Sequence, residues 1–201
     1  MNGLPDFARI RETVGPPGAR WVCVFGTSDP AEKQSTEQAR TLGRLLAERG
    51  WVVVTGGYTA VMEGANRGAR EAGGFSVGVG CRLFSREPNC YLDELIWTGN
   101  LLMRLETLLH LGDGYVACKG GTGTLAEIAV AWEYINKKIL PPRPLVLLGE
   151  FWSRLPEILS DQAAAPGVSP GRAGKTIATA ETCERAVELL ADGFERLERE
   201  N

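Results

Sequence analysis

The sequence predicts an α/β protein built on a doubly wound, mostly parallel sheet with helices on both faces, a Rossmann-like architecture. Three observations lead there. Six short apolar runs alternate with helix-length stretches along the chain, and that alternation implies right-handed crossovers between parallel strands. The runs are rich in Val, Ile and Leu over nearly every position, as strands buried on both faces are. The chain has 201 residues, of which 44% are apolar and 23% charged, enough to fill and coat one large domain.

Taken in order, residues 1–18 carry Gly15-Pro-Pro-Gly18 and are expected to form an N-terminal arm or short helix ahead of a single domain spanning 19–201. The first strand is placed at 21–25 (Trp-Val-Cys-Val-Phe) and the first domain helix at roughly 31–49. A second strand at 51–55 leads to a helix at about 60–72. In that helix Gly64, Gly68 and Ala72 fall at i, i+4 and i+8, with Ala65 and Ala69 beside them, and this small-residue stripe is expected to bring the helix close to the sheet. Met62 and Asn66 near its start are candidate ligand contacts. A strand at 75–79, a helix at 99–111, a strand at 114–118 and a helix at 124–138 follow, then a strand at 144–148 and a helix at 151–161. Residues 162–175 are punctuated by Pro and Gly every few positions and read as a loop. A strand at 176–179 and a helix at 181–199 close the pattern.

Composition excludes several functions. A formal net charge of −3 supplies no basic field for gripping a long nucleic acid, although local backbone dipoles can still hold a small anion. There is no apolar run long enough for a membrane helix and no charged-then-apolar leader pattern, so a cytoplasmic location without membrane association is expected. The five cysteines Cys23, Cys81, Cys90, Cys118 and Cys183 form no CxxC, and their odd number and scatter argue against a disulfide framework. Cys23 and Cys118 fall in runs expected to be buried. His110 is the sole histidine, which leaves a histidine-based metal site or triad poorly supported.

In a doubly wound sheet, ligands sit outside the carboxyl ends of the strands where the strand order reverses. Three strand ends are glycine-rich: Gly26-Thr-Ser28 after the first, Gly56-Gly57-Tyr58 after the second and Gly120-Gly121-Thr122-Gly123-Thr124 after the fourth. Tight turns alone account for any one of them; three on one rim point to a site. The last follows a buried strand and opens a helix, so its amides and the helix N-terminus converge on one concavity suited to a phosphate. Thr122 and Thr124 can add hydroxyl donors. The run lacks both the Gly-Lys-Ser/Thr ending of a P-loop and the GxGxxG fingerprint. Glu127 three residues on has two readings. Thr124-Leu-Ala-Glu127 fits a capping box, while Val130, Ala131 and Tyr134 at the following helical positions put Glu127 on an apolar flank that turns it inward. In the 99–111 helix Leu101, Leu102, Leu105, Leu108 and Leu109 form one stripe. Arg104 at its edge either snorkels or reaches over the sheet rim.

These motifs, in order and spacing, resemble the Lonely Guy (LOG) family, the group once labelled lysine decarboxylase-like, and within it the broad bacterial branch. The family signature Pro-Gly-Gly-x-Gly-Thr-x-x-Glu is matched at 120–127, with Lys119 in place of the proline. The run 56–64 resembles the family's Gly-Gly-Gly-x-x-Gly-Leu-Met-Gly turn, departing at Tyr58 and Ala60. Arg104 falls at the arginine of the family's Glu-Arg-Lys helix, with Leu105 where the lysine would be, and Asp113 also matches. The resemblance covers about residues 20–148. It implies hydrolysis of the N-glycosidic bond of a nucleoside 5′-monophosphate to a free base and ribose 5-phosphate, with no metal and no organic cofactor. It also implies a homodimer or higher homo-oligomer. From the residues themselves, Trp132 and Tyr134 are candidates either for that contact or for the core. In this assignment Gly120, Gly121, Thr122, Gly123 and Thr124 hold the phosphate, with Gly26, Ser28, Gly56, Gly57 and Met62 around the nucleotide. Lys119 is expected to replace part of the charge lost at Leu105. Glu127 acts at the ribose and Arg104 at the sugar or departing base. The alternative within the same superfamily is a non-catalytic carrier of a nucleotide or phosphorylated cofactor, such as the molybdenum cofactor. The departure at Leu105 favours the carrier; retention of Arg104 and Glu127 favours the enzyme.

Overall fold

The computed structural model describes residues 6–158 and 177–200. Its elements are α1 (Phe7–Val14), β1 (Trp21–Phe25), α2 (Lys33–Glu48), β2 (Val52–Thr55), α3 (Val61–Glu71), β3 (Ser76–Cys81), β4 (Glu94–Thr98), α4 (Leu101–Leu111), β5 (Gly114–Ala117), α5 (Thr122–Asn136), β6 (Leu145–Leu148), β7 (Ile177–Ala180) and α6 (Cys183–Glu200). The seven strands form one sheet in the order β4-β3-β2-β1-β5-β6-β7, and every neighbouring pair is parallel. The order reverses between β1 and β5, so the carboxyl ends of these two strands frame the crevice where this architecture places ligands.

Strand periodicity sorts the core into two layers. Val22 and Val24 of β1 point to a cluster with Ala39, Leu42 and Leu46 of α2, Ala65 and Ala69 of α3, and Leu190 and Phe194 of α6. Trp21, Cys23 and Phe25 point the other way, to Leu108, Leu109 and Leu111 of α4 and Ile128, Ala131 and Ile135 of α5. Alternate residues of one strand thus serve opposite faces, and the continuous apolar runs are explained by burial on both sides. Cys23 and Cys118 are both fully buried.

The structure corrects the expected elements at five points. An edge strand, β4, lies within 80–98, where no element is expected from the sequence. Its pattern is mixed, from exposed Glu94 to buried Thr98, so it lacks the continuous apolar signal of the inner strands. The small-residue stripe of α3 packs on a helix rather than on the sheet. A Cβ at Gly64 would lie 2.3 Å from the Thr36 carbonyl oxygen of α2, and one at Gly68 would lie 1.9 Å from that of Arg40. The cause is topological: α2 and α3 flank β2 as successive crossovers on one face, so their backbones are neighbours. The leucine stripe of α4 splits, with Leu108 and Leu109 buried while Leu101 and Leu102 are exposed. The helix expected at 151–161 is, over its described part, a turn at 151–154 followed by one helical turn at 155–158. Lastly, α5 begins two residues early, at Thr122, with Gly121 as its N-cap and no side-chain cap. The capping box at Thr124–Glu127 therefore does not exist, because Glu127 already lies in the second turn. The loop expected at 162–175 lies outside the described residues.

At the amino end of the sheet, α1 carries Phe7, Ile10 and Val14 onto the α4–α5 face. Asp6 caps it, accepting from the Arg9 amide at 3.1 Å. Arg11 then donates both guanidinium nitrogens to Asp113 at 2.8 and 2.7 Å, and Asp113 also accepts from the Trp21 amide at 2.8 Å. Asp113 is therefore a structural latch at the rim opposite the ligand crevice. His110 stacks on Phe7 with ring centroids 4.6 Å apart. Among the described residues, no helix is long and apolar enough to cross a membrane, and no group of three or more His, Cys, Asp or Glu is placed to hold a metal ion.

Candidate active site

A cavity of about 580 Å³ opens at the carboxyl ends of β1, β2 and β5, lined by Gly26, Ser28, Tyr58, Met62, Arg104, Gly123, Thr124 and Glu127, with Leu83–Arg86 and Leu101 at its outer wall. Three separate expectations meet there: the turns after β1 and β2, the α5 N-terminus, and the arginine of α4.

Arg104 is deeply set, at 8% exposure. Its Nε donates to the Val79 carbonyl at 2.8 Å, its Nη2 lies 3.9 Å from Met62 Sδ, and its guanidinium faces the rings of Tyr58 and Phe84 at 5.7 and 5.9 Å. Its Nη1 stands 3.8 Å from Glu127 Oε1. The arginine does not snorkel; it is packed among aromatic faces with its charge turned to the cavity. Gly56 makes this possible, because a Cβ there would sit 1.6 Å from Arg104 Nη2.

Glu127 faces Arg104 from α5 with 13% of its side chain exposed. Burial pushes its carboxyl up from 4.5 to about 7, and the nearby Arg104 charge offsets only part of that rise. A carboxyl poised near neutrality can exchange a proton at working pH, which an ordinary surface glutamate cannot do efficiently.

The three glycines of the 120–124 loop divide into two kinds. A Cβ at Gly120 would strike Thr124 Oγ1 at 2.2 Å, whereas Gly121 and Gly123 have nothing within 4 Å of the equivalent position. Gly120 lets the chain close on the buried Thr124; Gly121 and Gly123 leave open space above the backbone. With no side-chain cap, the first amides of α5 have no partner within the helix and face a ligand or solvent. Gly123 and Thr124 line the cavity, while Thr122 is exposed beside it.

The turn after β2 is built from below. Thr55 Oγ1 donates to Asn66 Oδ1 at 2.8 Å and accepts from the Gly57 amide at 3.0 Å, so fully buried Asn66 supports the turn from outside the cavity. Gly57 has φ +79, a left-handed conformation that favours glycine. Tyr58 fills the wall, its hydroxyl accepting from the Cys81 amide at 2.9 Å. Lys119 lies outside the cavity lining: its ammonium pairs with Glu32 at 2.7 Å and lies 5.9 Å from the Phe151 ring centroid. Phe84, Ser85 and Arg86, which come from the β3–β4 connection, could not be identified from the sequence. That segment carries no motif and reaches the cavity only through the edge strand that follows it.

The model of the SLOG cluster4 family matches residues 19–157. The cytokinin riboside 5′-monophosphate phosphoribohydrolase of Mycobacterium tuberculosis is 32% identical over 114 residues, 55% of this chain and 61% of that protein. A probable cytokinin riboside 5′-monophosphate phosphoribohydrolase of Oryza sativa subsp. japonica is 34% identical over 158 residues, 75% of this chain and 63% of that protein. The chain thus spans about three fifths of the length of these relatives. Among solved structures, the molybdenum cofactor binding protein of Rippkaea orientalis superposes with a TM-score of 0.72 at 26% identity, covering 88% of this chain and 98% of that one. The molybdenum cofactor carrier protein of Chlamydomonas reinhardtii gives 0.66 at 26% identity, covering 87% and 99%.

Proposed function

The chain belongs to the SLOG cluster4 family, and from that premise we propose that it hydrolyses the N-glycosidic bond of a nucleoside 5′-monophosphate. The observation that carries this is the Arg104–Glu127 pair, 3.8 Å apart at the floor of the cavity, beside the uncapped N-terminus of α5. The 5′-phosphate is held by the first-turn amides of α5 and by Thr122 and Thr124, where helix dipole and free donors favour an anion. The base lies along the apolar wall of Tyr58, Leu83, Phe84 and Leu101. This arrangement leaves C1′ of the ribose over Glu127.

The reaction breaks the C1′–N bond and forms a C1′–O bond to water. Glu127 as carboxylate takes a proton from the attacking water and stabilises positive charge developing on the sugar, in the manner of carboxylates at glycosidic centres. Arg104 stabilises the electron pair departing with the base, which takes up a proton from solvent while Glu127 gives the water's proton back to solvent, so the base is released neutral and Glu127 is a carboxylate again. We place the protein in a homodimer or higher homo-oligomer through the exposed apolar residues Trp97, Leu101, Leu102 and Leu125, which light scattering on the purified protein tests. Trp132 and Tyr134 pack partly against the protein's own core.

Carriage of a phosphorylated cofactor is the second reading. What favours it is that the chain covers 98% and 99% of the two molybdenum cofactor proteins, against 61% and 63% of the phosphoribohydrolases. A panel of nucleoside 5′-monophosphates incubated with the protein separates the two. Release of free base supports hydrolysis; tight binding with no base released from any member rejects it and leaves the carrier.

A further inference from the structure

The cavity bound to a phosphate needs positive charge, and the expected source, Lys119, is committed elsewhere, its ammonium 2.7 Å from Glu32. The charged residues in the cavity lining are Arg86, Arg104 and Glu127. Arg104 is held deep by Val79 and set against Glu127, which makes it a partner for the sugar and base. Arg86 comes from the β3–β4 connection and donates from Nη1 to Ser28 Oγ at 3.1 Å, joining that connection to the turn after β1.

The segment that carries it is fastened on both sides. The Arg82 amide donates to the Thr98 carbonyl at 2.9 Å and the Phe84 amide to Cys81 at 3.0 Å. Beyond Arg86, the Asn89 amide donates to Gly57 at 2.9 Å and its Nδ2 to the Tyr58 carbonyl at 2.9 Å. Residues 85–88 therefore form an arch between two anchored ends, with Arg86 over the cavity mouth. Its guanidinium has five donors in a planar fork suited to phosphate oxygens, and the contact recorded here is to a neutral hydroxyl. No ion pair of Arg86 occurs among the described residues.

We propose that Arg86, positioned by Ser28, is the phosphate-selecting residue of this site: it closes over the 5′-phosphate from the side opposite the α5 N-terminus and supplies the cation that Lys119 and Leu105 do not. This rests on the nucleoside monophosphate reading above. It predicts discrimination between a phosphorylated ligand and its unphosphorylated counterpart, with little effect on the rest of the molecule.

The test is calorimetric binding of adenosine 5′-monophosphate and of adenosine to the Glu127→Gln protein, which holds the nucleotide without turnover, with Arg86 intact, Arg86→Ala or Arg86→Lys. Loss of one exposed charge-assisted contact is expected to weaken adenosine 5′-monophosphate binding on the order of tenfold in Arg86→Ala. Arg86→Lys should retain part of the affinity, and adenosine binding should be unchanged. If the nucleotide still binds better than adenosine and Arg86→Ala stays within about twofold of the parent, Arg86 is not the phosphate ligand, while the α5 cradle stands. Equal weakening of both ligands assigns Arg86 a purely structural part in the arch and also overturns the proposal. If the parent binds the nucleotide no better than adenosine, the nucleoside monophosphate reading itself falls, and this proposal with it.

Discussion

Replacing Glu127 with Gln should make the protein more stable, and by an amount that depends on pH. The carboxyl rises from 4.5 to about 7 on folding because burial disfavours its charge more than Arg104 favours it. A carboxyl raised in the fold binds protons more readily folded than unfolded, so its contribution to stability falls as pH climbs from about 4.5 to about 7 and is flat above. That rise, from 4.5 to about 7, corresponds to a cost on the order of 3 kcal/mol at pH 8. Glutamine has nearly the same shape and no charge, so it escapes that cost. For a domain of this size each kcal/mol is about 2–4 °C in melting temperature. Thermal melts of wild type and Glu127→Gln should therefore diverge by several degrees at pH 8, with the variant higher, and converge below about pH 4.5. The same group predicts that kcat/KM for a turned-over nucleotide rises with pH about a midpoint near 7. Equal melting temperatures at pH 8, or a gap that does not narrow on acidification, would refute a buried, charge-strained Glu127.

Three further substitutions probe the frame around that residue. Gly56→Ala places a methyl 1.6 Å from Arg104 Nη2 and must displace the guanidinium; turnover should drop on the order of a hundredfold, as misplacement by about 1 Å does, and a steady-state rate within a few-fold of wild type would contradict it. Gly123→Ala meets nothing within 4 Å in the first turn of α5, so stability should be unchanged or raised by up to about 1 kcal/mol, while calorimetry should show weaker binding of phosphorylated ligands where the methyl occupies the cradle. Asp113→Ala removes both Arg11 contacts and the Trp21 amide acceptor at the far rim; denaturant titration should show a loss of about 2–4 kcal/mol with the substrate KM unaltered.

Much of the fold was legible because strand burial on both faces leaves a strong signal. Inner strands such as β1 and β6 are buried at every position, and the sequence marks them as continuous apolar runs. The edge strand β4 has a free edge, and Glu94 and Trp97, on opposite faces, are both exposed within it, so no periodicity announces it. The same limit hid Arg86, which reaches the cavity only because β4 draws the preceding segment across the strand ends. Glycine identity marked the rim correctly as a place of close approach, but not which glycine admits a ligand: Gly120 is required by Thr124 and Gly56 by Arg104, while Gly123 faces open space. Spacing alone leaves Glu127 divided between cap and catalyst. The earlier start of α5 settles its geometry, since a residue in the second turn has no unpaired N-cap amide to reach.

Product analysis with adenosine 5′-monophosphate and adenosine as paired substrates tests whether Glu127 and Arg104 cleave a phosphorylated nucleoside. Adenine and ribose 5-phosphate should appear in equal amounts from the nucleotide, with far slower release from adenosine and none above background with Glu127→Ala. Undiminished release with Glu127→Ala, or no release by the wild type despite bound nucleotide, would contradict it.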